Sequence, residues 1–111
     1  MTNARLLAAV AAASLFASAT ALAEVDKKTE RLWKAQCASC HGQGGKGDTA
    51  TGKSMKIQDM TSATFQAKKD DELKDGISNG VKWEGGNMPP FKDLTPDQVN
   101  ALVAYIRTFK K

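Results

Sequence analysis

The chain has 111 residues, a quarter of them charged, and a formal net charge of +4 carried by lysines spread along its length. So mild and dispersed a charge excludes nucleic acid as the main partner and gives no basic run for a membrane surface. Two cysteines and one histidine fall short of the four ligands of a structural zinc site.

Residues 1–23 carry Arg5 in a short leading region, an apolar stretch from Leu6 to about Leu22 and the small-x-small signal Ala21-Leu22-Ala23 before Glu24. This reads as a secretory signal peptide and sends the chain to the periplasm. The stretch is rich in Ala and Ser and ends in a cleavage signal, which disfavours an uncleaved anchor. The mature domain is then residues 24–111, or 88 residues with 15 basic and 12 acidic side chains, a net +3. Such a length supports one domain with a modest apolar core.

The mature chain opens on a helical pattern from Asp26 to about Ala38, with Asp26 as N-cap and Leu32, Trp33, Gln36 and Cys37 near one face. It delivers Cys37-Ala38-Ser39-Cys40-His41, a C-x-x-C-H motif. Two thiols three positions apart on one helical turn point the same way and can add to the two vinyl groups on one porphyrin edge. The next residue, His41, supplies an imidazole for the iron. The motif thus predicts one covalently attached haem c. A thioredoxin-like dithiol would need a βαβ pattern that is missing near residue 37, and a lone disulfide leaves His41 without a purpose.

Gly42 to Asp48 is too rich in glycine for a helix and reads as a loop around the cofactor. Gly52-Lys53-Ser54 has the last letters of a phosphate-binding loop but lacks the earlier glycine and the preceding strand. Between Thr51 and Lys69 no firm element can be drawn, although Met55, Ile57, Met60 and Phe65 are apolar positions suited to lining a haem pocket. A short helix follows from Asp70, its expected N-cap, to Gly80, with Leu73 and Ile77 on one face. Val81 to Asp93 reads as a loop. The final helix is announced by Thr95-Pro96-Asp97-Gln98, a capping box flanked by Leu94 and Val99. Its stripe of Val99, Leu102, Val103, Ile106 and Phe109 needs a partner surface, for which the face around Leu32 and Trp33 is the candidate.

With C-x-x-C-H near the start, Asn87-Met88-Pro89-Pro90-Phe91 later and Leu102-Val103-Ala104-Tyr105-Ile106 in the last helix, the chain resembles the small class I bacterial c-type cytochromes. The resemblance covers nearly the whole mature chain and implies an all-α fold. In that fold the first and last helices cross, and the haem is enclosed between them and a Met-bearing loop. It also implies that Cys37 and Cys40 hold the haem by thioethers and that His41 and Met88 are its axial ligands. Met55 and Met60 lack the Met-Pro context and are assigned to pocket packing. Trp83, five positions before Met88, is similar to a family tryptophan whose indole N–H bonds a haem propionate. Trp33 and Tyr105 resemble the aromatic pair of the helix crossing. Thr29 stands where many relatives have glycine, which implies a slightly wider crossing. Gly52-Lys53-Ser54-Met55 replaces the usual Gly-Pro-x-Leu, so a Lys53 carbonyl would take the place of the proline carbonyl that accepts the histidine Nδ1–H.

The expectation is a soluble, periplasmic, monomeric, monohaem one-electron carrier, not an enzyme, exchanging electrons with protein partners. If the family architecture holds, Lys46, Lys53 and Lys92 would lie near the haem crevice and favour an acidic partner. The rival is a haem enzyme or small-ligand sensor with an open distal site. No distal His or Arg is evident to support peroxide chemistry there, since His41 is the single histidine.

Overall fold

The computed structural model describes residues 26–111. The expected signal peptide and its cleavage site lie outside the described residues. Among the described residues no helix is long and apolar enough to cross a membrane.

The described residues form six helices and one hairpin: α1 (Lys27–Gln36), α2 (Ala38–His41), α3 (Ala50–Ser54), α4 (Ala63–Gln66), α5 (Asp70–Asn79), β1 (Val81–Trp83), β2 (Gly86–Met88) and α6 (Pro96–Arg107). Asp26 caps α1, its carboxylate accepting the Lys28 N–H at 3.0 Å. Thr95 and Gln98 complete the expected capping box of α6. The α6 stripe buries Val99, Leu102, Val103 and Ile106 against α1 and α5, and Trp33 and Leu102, each 1% exposed, form the centre of the core. The Trp33 and Tyr105 rings meet edge-on at 5.5 Å, so the crossing pair is present. Thr29 is buried.

Four local expectations are corrected. The opening helix stops at Gln36, because Cys37 takes φ −121° and leaves the helical region before α2 begins. The stretch from 51 to 69 contains two short helices. Thr49 and Ser62 cap them by accepting the N–H of Gly52 and of Phe65. The cap of α5 is Lys69 rather than Asp70. Asp70 is the first helical residue, and its carboxylate instead accepts from Arg107 at 2.7 Å, tying the start of α5 to the end of α6. The loop from Val81 contains an antiparallel hairpin pairing Val81 with Met88 and Trp83 with Gly86. Gly85, at φ 120°, supplies its tight turn.

Candidate haem site

The site is built from two sides. On the first, the Cys37 N–H continues the α1 ladder to the Trp33 carbonyl at 2.8 Å, and α2 then turns Cys40 and His41 back on this hinge. Gly42, at φ 84° and ψ 160°, ends α2 in a backbone region reserved for glycine. Its carbonyl accepts the buried Trp33 Nε1–H at 3.1 Å, and the Trp33 ring lies 5.8 Å from the His41 imidazole. One α1 side chain therefore packs against His41 and staples the turn that follows it. From the opposite flank, the Thr49 hydroxyl donates to the Cys40 carbonyl at 2.8 Å, and the Gly47 N–H donates to the His41 carbonyl at 2.8 Å. Gly52 makes this approach possible. A Cβ there would stand 2.5 Å from the Gly47 oxygen and 2.6 Å from the Cys40 oxygen.

Cys37 and Cys40 are both half-buried and do not pair with each other as a disulfide. Burial, with the neighbouring Cys40 adding to it, pushes the Cys37 thiol up to about 11. Burial lowers the His41 pKa and so favours the neutral imidazole, the form that binds a metal. The His41 Nδ1 is buried and, among the described residues, has no hydrogen-bond partner. This corrects the expected Lys53 contact. The Lys53 carbonyl instead accepts the N–H groups of Met55 and Lys56, as α3 ends in a tight turn with Lys56 at φ 53°.

The second side is the hairpin. Met88 closes β2, half-buried against the core. The Trp83 Nε1–H donates to the Met55 carbonyl at 2.8 Å, which locks the hairpin to the end of α3. Met55 packs its methyl end on Gly86, where a Cβ would come within 2.8 Å of it. Met60 is in the core, its backbone held by Gly45 and by the Gln66 side chain.

Between the two sides lies a cleft of about 1070 Å³. It brings together all six residues singled out in the sequence: Cys37, Cys40, His41, Met55, Trp83 and Met88. Its apolar wall includes Phe65, Leu73, Ile77, Leu102 and Ile106. The α5 and α6 stripes thus face the cleft as well as each other. The lysines lining it are Lys56, Lys68 and Lys82, and not Lys46, Lys53 or Lys92. Lys92 donates to the Asn79 side chain.

Sequence reasoning missed the Gln66 and Arg107 cluster behind this wall. The Gln66 amide donates to the carbonyls of Met60 and Ile106, and Arg107 donates to those of Gln66 and Lys68. No local pattern encodes contacts forty residues apart. The caps Thr49 and Ser62 were the available signal for α3 and α4.

The family model described as cytochrome C oxidase, cbb3-type, subunit III matches residues 24–106. The solved structure of KustC0563 c-type cytochrome is 35% identical, and the match covers 75% of this chain and 98% of that one with a TM-score of 0.66. No curated protein matches. A family match over most of the chain, joined to a helical fold that gathers the C-x-x-C-H residues and Met88 in one apolar cleft, makes this chain a small c-type cytochrome that belongs to the cbb3-type cytochrome c oxidase subunit III family.

Proposed function

We propose that the protein is a periplasmic, monomeric, monohaem one-electron carrier. The observation that carries this reading is the single cleft that brings together two cysteines, a half-buried imidazole and the Met88 thioether within an apolar wall. The donor set fits haem c: Cys37 and Cys40 for the two thioether bonds, His41 and Met88 for the iron. When bound, the haem supplies reversible ferric–ferrous chemistry, and a His/Met pair favours the ferrous state.

The chain's own work is to hold and to shield. Trp33 and Gly42 fix the turn that carries His41, and burial keeps its imidazole neutral and available to metal. Leu73, Ile77, Leu102 and Ile106 exclude water from the cleft. With His41 and Met88 both available to the iron, the chain's own side chains would leave no position there for a substrate. Partners are redox proteins, and an acidic surface on them would complement Lys56, Lys68 and Lys82 at the cleft. Lys46, Lys53 and Lys92 would act at longer range.

The test is acid–acetone extraction followed by mass spectrometry, with absorption spectra of the purified protein in both oxidation states. One porphyrin retained on the polypeptide, with low-spin spectra and a ferric sulfur-to-iron charge-transfer band, is the expected result. Extractable haem contradicts covalent attachment, and a high-spin ferric spectrum favours an open distal site.

A further inference from the structure

The segment that carries Met88 is held by very little of its own. Its strands are three residues long, Pro89 and Pro90 are exposed, and Val81, opposite Met88 in the hairpin, is 44% exposed. What it rests on is the end of α5. The N–H of Gly80 closes α5 on the Gly76 carbonyl at 3.0 Å, and Gly80 then adopts φ 81° and ψ 169°, a backbone region closed to residues with a Cβ. The Met88-Pro89-Pro90 backbone lies directly on it. A Cβ at Gly80 would stand 2.7 Å from the Met88 carbonyl oxygen, 3.2 Å from the Pro90 nitrogen and 3.4 Å from the Pro89 carbonyl carbon. These are backbone atoms, two of them in proline-restricted units, and they cannot swing aside as a side-chain tip would. Past the prolines the Phe91 N–H donates to the Ile77 carbonyl at 2.9 Å, anchoring the segment on α5 a second time.

We propose that Gly80 is a positioning residue for Met88: its missing side chain lets the Met88-Pro89-Pro90 backbone seat on the α5 terminus, and this seat sets the reach of the thioether into the cleft. The proposal rests on the reading of Met88 as the distal ligand. Gly80 touches neither the iron nor a partner. Its effect passes through backbone contact alone.

The experiment is performed on purified ferric holoprotein of wild type, Met88→Ala, Gly80→Ala and Gly44→Ala. Gly44 is the control because a Cβ there meets nothing within 4 Å. Loss of the sulfur-to-iron charge-transfer band in Met88→Ala establishes the ligand, and its persistence overturns the ligand reading itself. With the ligand established, Gly80→Ala should weaken or lose the band, and imidazole should bind its iron about tenfold or more tightly than in wild type. That ratio corresponds to about 1.4 kcal/mol of lost competition from Met88. Gly44→Ala should match wild type in both. A wild-type band and imidazole affinity in folded Gly80→Ala overturn the proposal. A second measurement needs no Gly80 variant. In Met88→Ala the Phe91 amide should keep its hydrogen-exchange protection, because the seat on α5 does not depend on the sulfur bond. Protection lost with the sulfur would mean that the iron holds the segment, and would equally overturn the proposal.

Discussion

The two sides of the cleft are built to different standards. The His41 side is held by a fully buried indole, by Thr49 and Gly47 bonds to the carbonyls of Cys40 and His41, and by the close contact at Gly52. The Met88 side hangs from a two-stranded hairpin of three residues each, one half-buried indole bond and the end of one helix. Short hairpins are not stable alone, so their order is borrowed from what they rest on. The difference teaches that, on the proposed reading, the haem attachment and its neighbouring imidazole sit on the more densely bonded, rigid half, and the Met88 sulfur on the half with fewer contacts to hold it.

The largest expected effect breaks the comparison by removing what joins the halves. In the Cys37→Ala, Cys40→Ala protein the cleft would lose the haem it is proposed to hold, and the domain from residue 24 to 111 retains too small a core to hold a fixed tertiary structure. Near-ultraviolet circular dichroism should lose its native bands. A native-like spectrum would show that the two halves pack against each other unaided.

A matched pair of indole substitutions sharpens the contrast. Trp33→Phe leaves the Gly42 carbonyl buried without its donor and should cost about 1–3 kcal/mol in denaturant unfolding. Trp83→Phe removes the partly buried bond to the Met55 carbonyl and should cost about 0.5–1.5 kcal/mol, while raising the access of exogenous ligands to the iron more than Trp33→Phe does. The reverse order in either readout would mean that the rigid half has been misassigned.

The smallest effect lies on the segment between the halves. The Asp59 carboxylate accepts from the Thr61 hydroxyl and N–H, at 2.6 and 2.8 Å, and these bonds lower its pKa. A carboxyl with a depressed folded pKa adds stability above its unfolded pKa of about 3.9, and that stability is lost as pH falls through the folded value. Asp59 is only partly buried, so solvent screens these bonds and the gain is small. Asp59→Asn should remove a shallow loss of stability below about pH 4. It should leave stability near neutrality within about 0.5 kcal/mol of wild type, because surface substitutions rarely move it further.

How much was legible in the sequence follows the same division. The capping box of α6 and the apolar stripe from Val99 to Ile106 are short-range patterns, and each stands in the structure where its spacing put it, whereas Cys37 breaks the helix expected to carry the C-x-x-C-H residues. The gathering of Met55, Trp83 and Met88 around one cleft with Cys37, Cys40 and His41 was reachable through family likeness, since residues so far apart share no local pattern. What stayed hidden was set by long-range contact. Asp70 reads locally as an N-cap, but Arg107 claims its carboxylate. The bond from Trp83 to the Met55 carbonyl joins residues 28 positions apart and has no local signal. The hairpin strands are too short to show a period of two, and only Gly85-Gly86 marked the turn.

The most direct measurement is the near-infrared absorption of ferric Met88→Ala, Met55→Ala and Met60→Ala holoproteins beside wild type. If the cleft holds its haem between His41 and Met88, the sulfur-to-iron charge-transfer band disappears in Met88→Ala, with a fall in reduction potential. It survives in Met55→Ala and Met60→Ala, whose sulfurs pack the cleft wall. Survival of the band in Met88→Ala with its loss in either of the other two would contradict the assignment of the distal ligand.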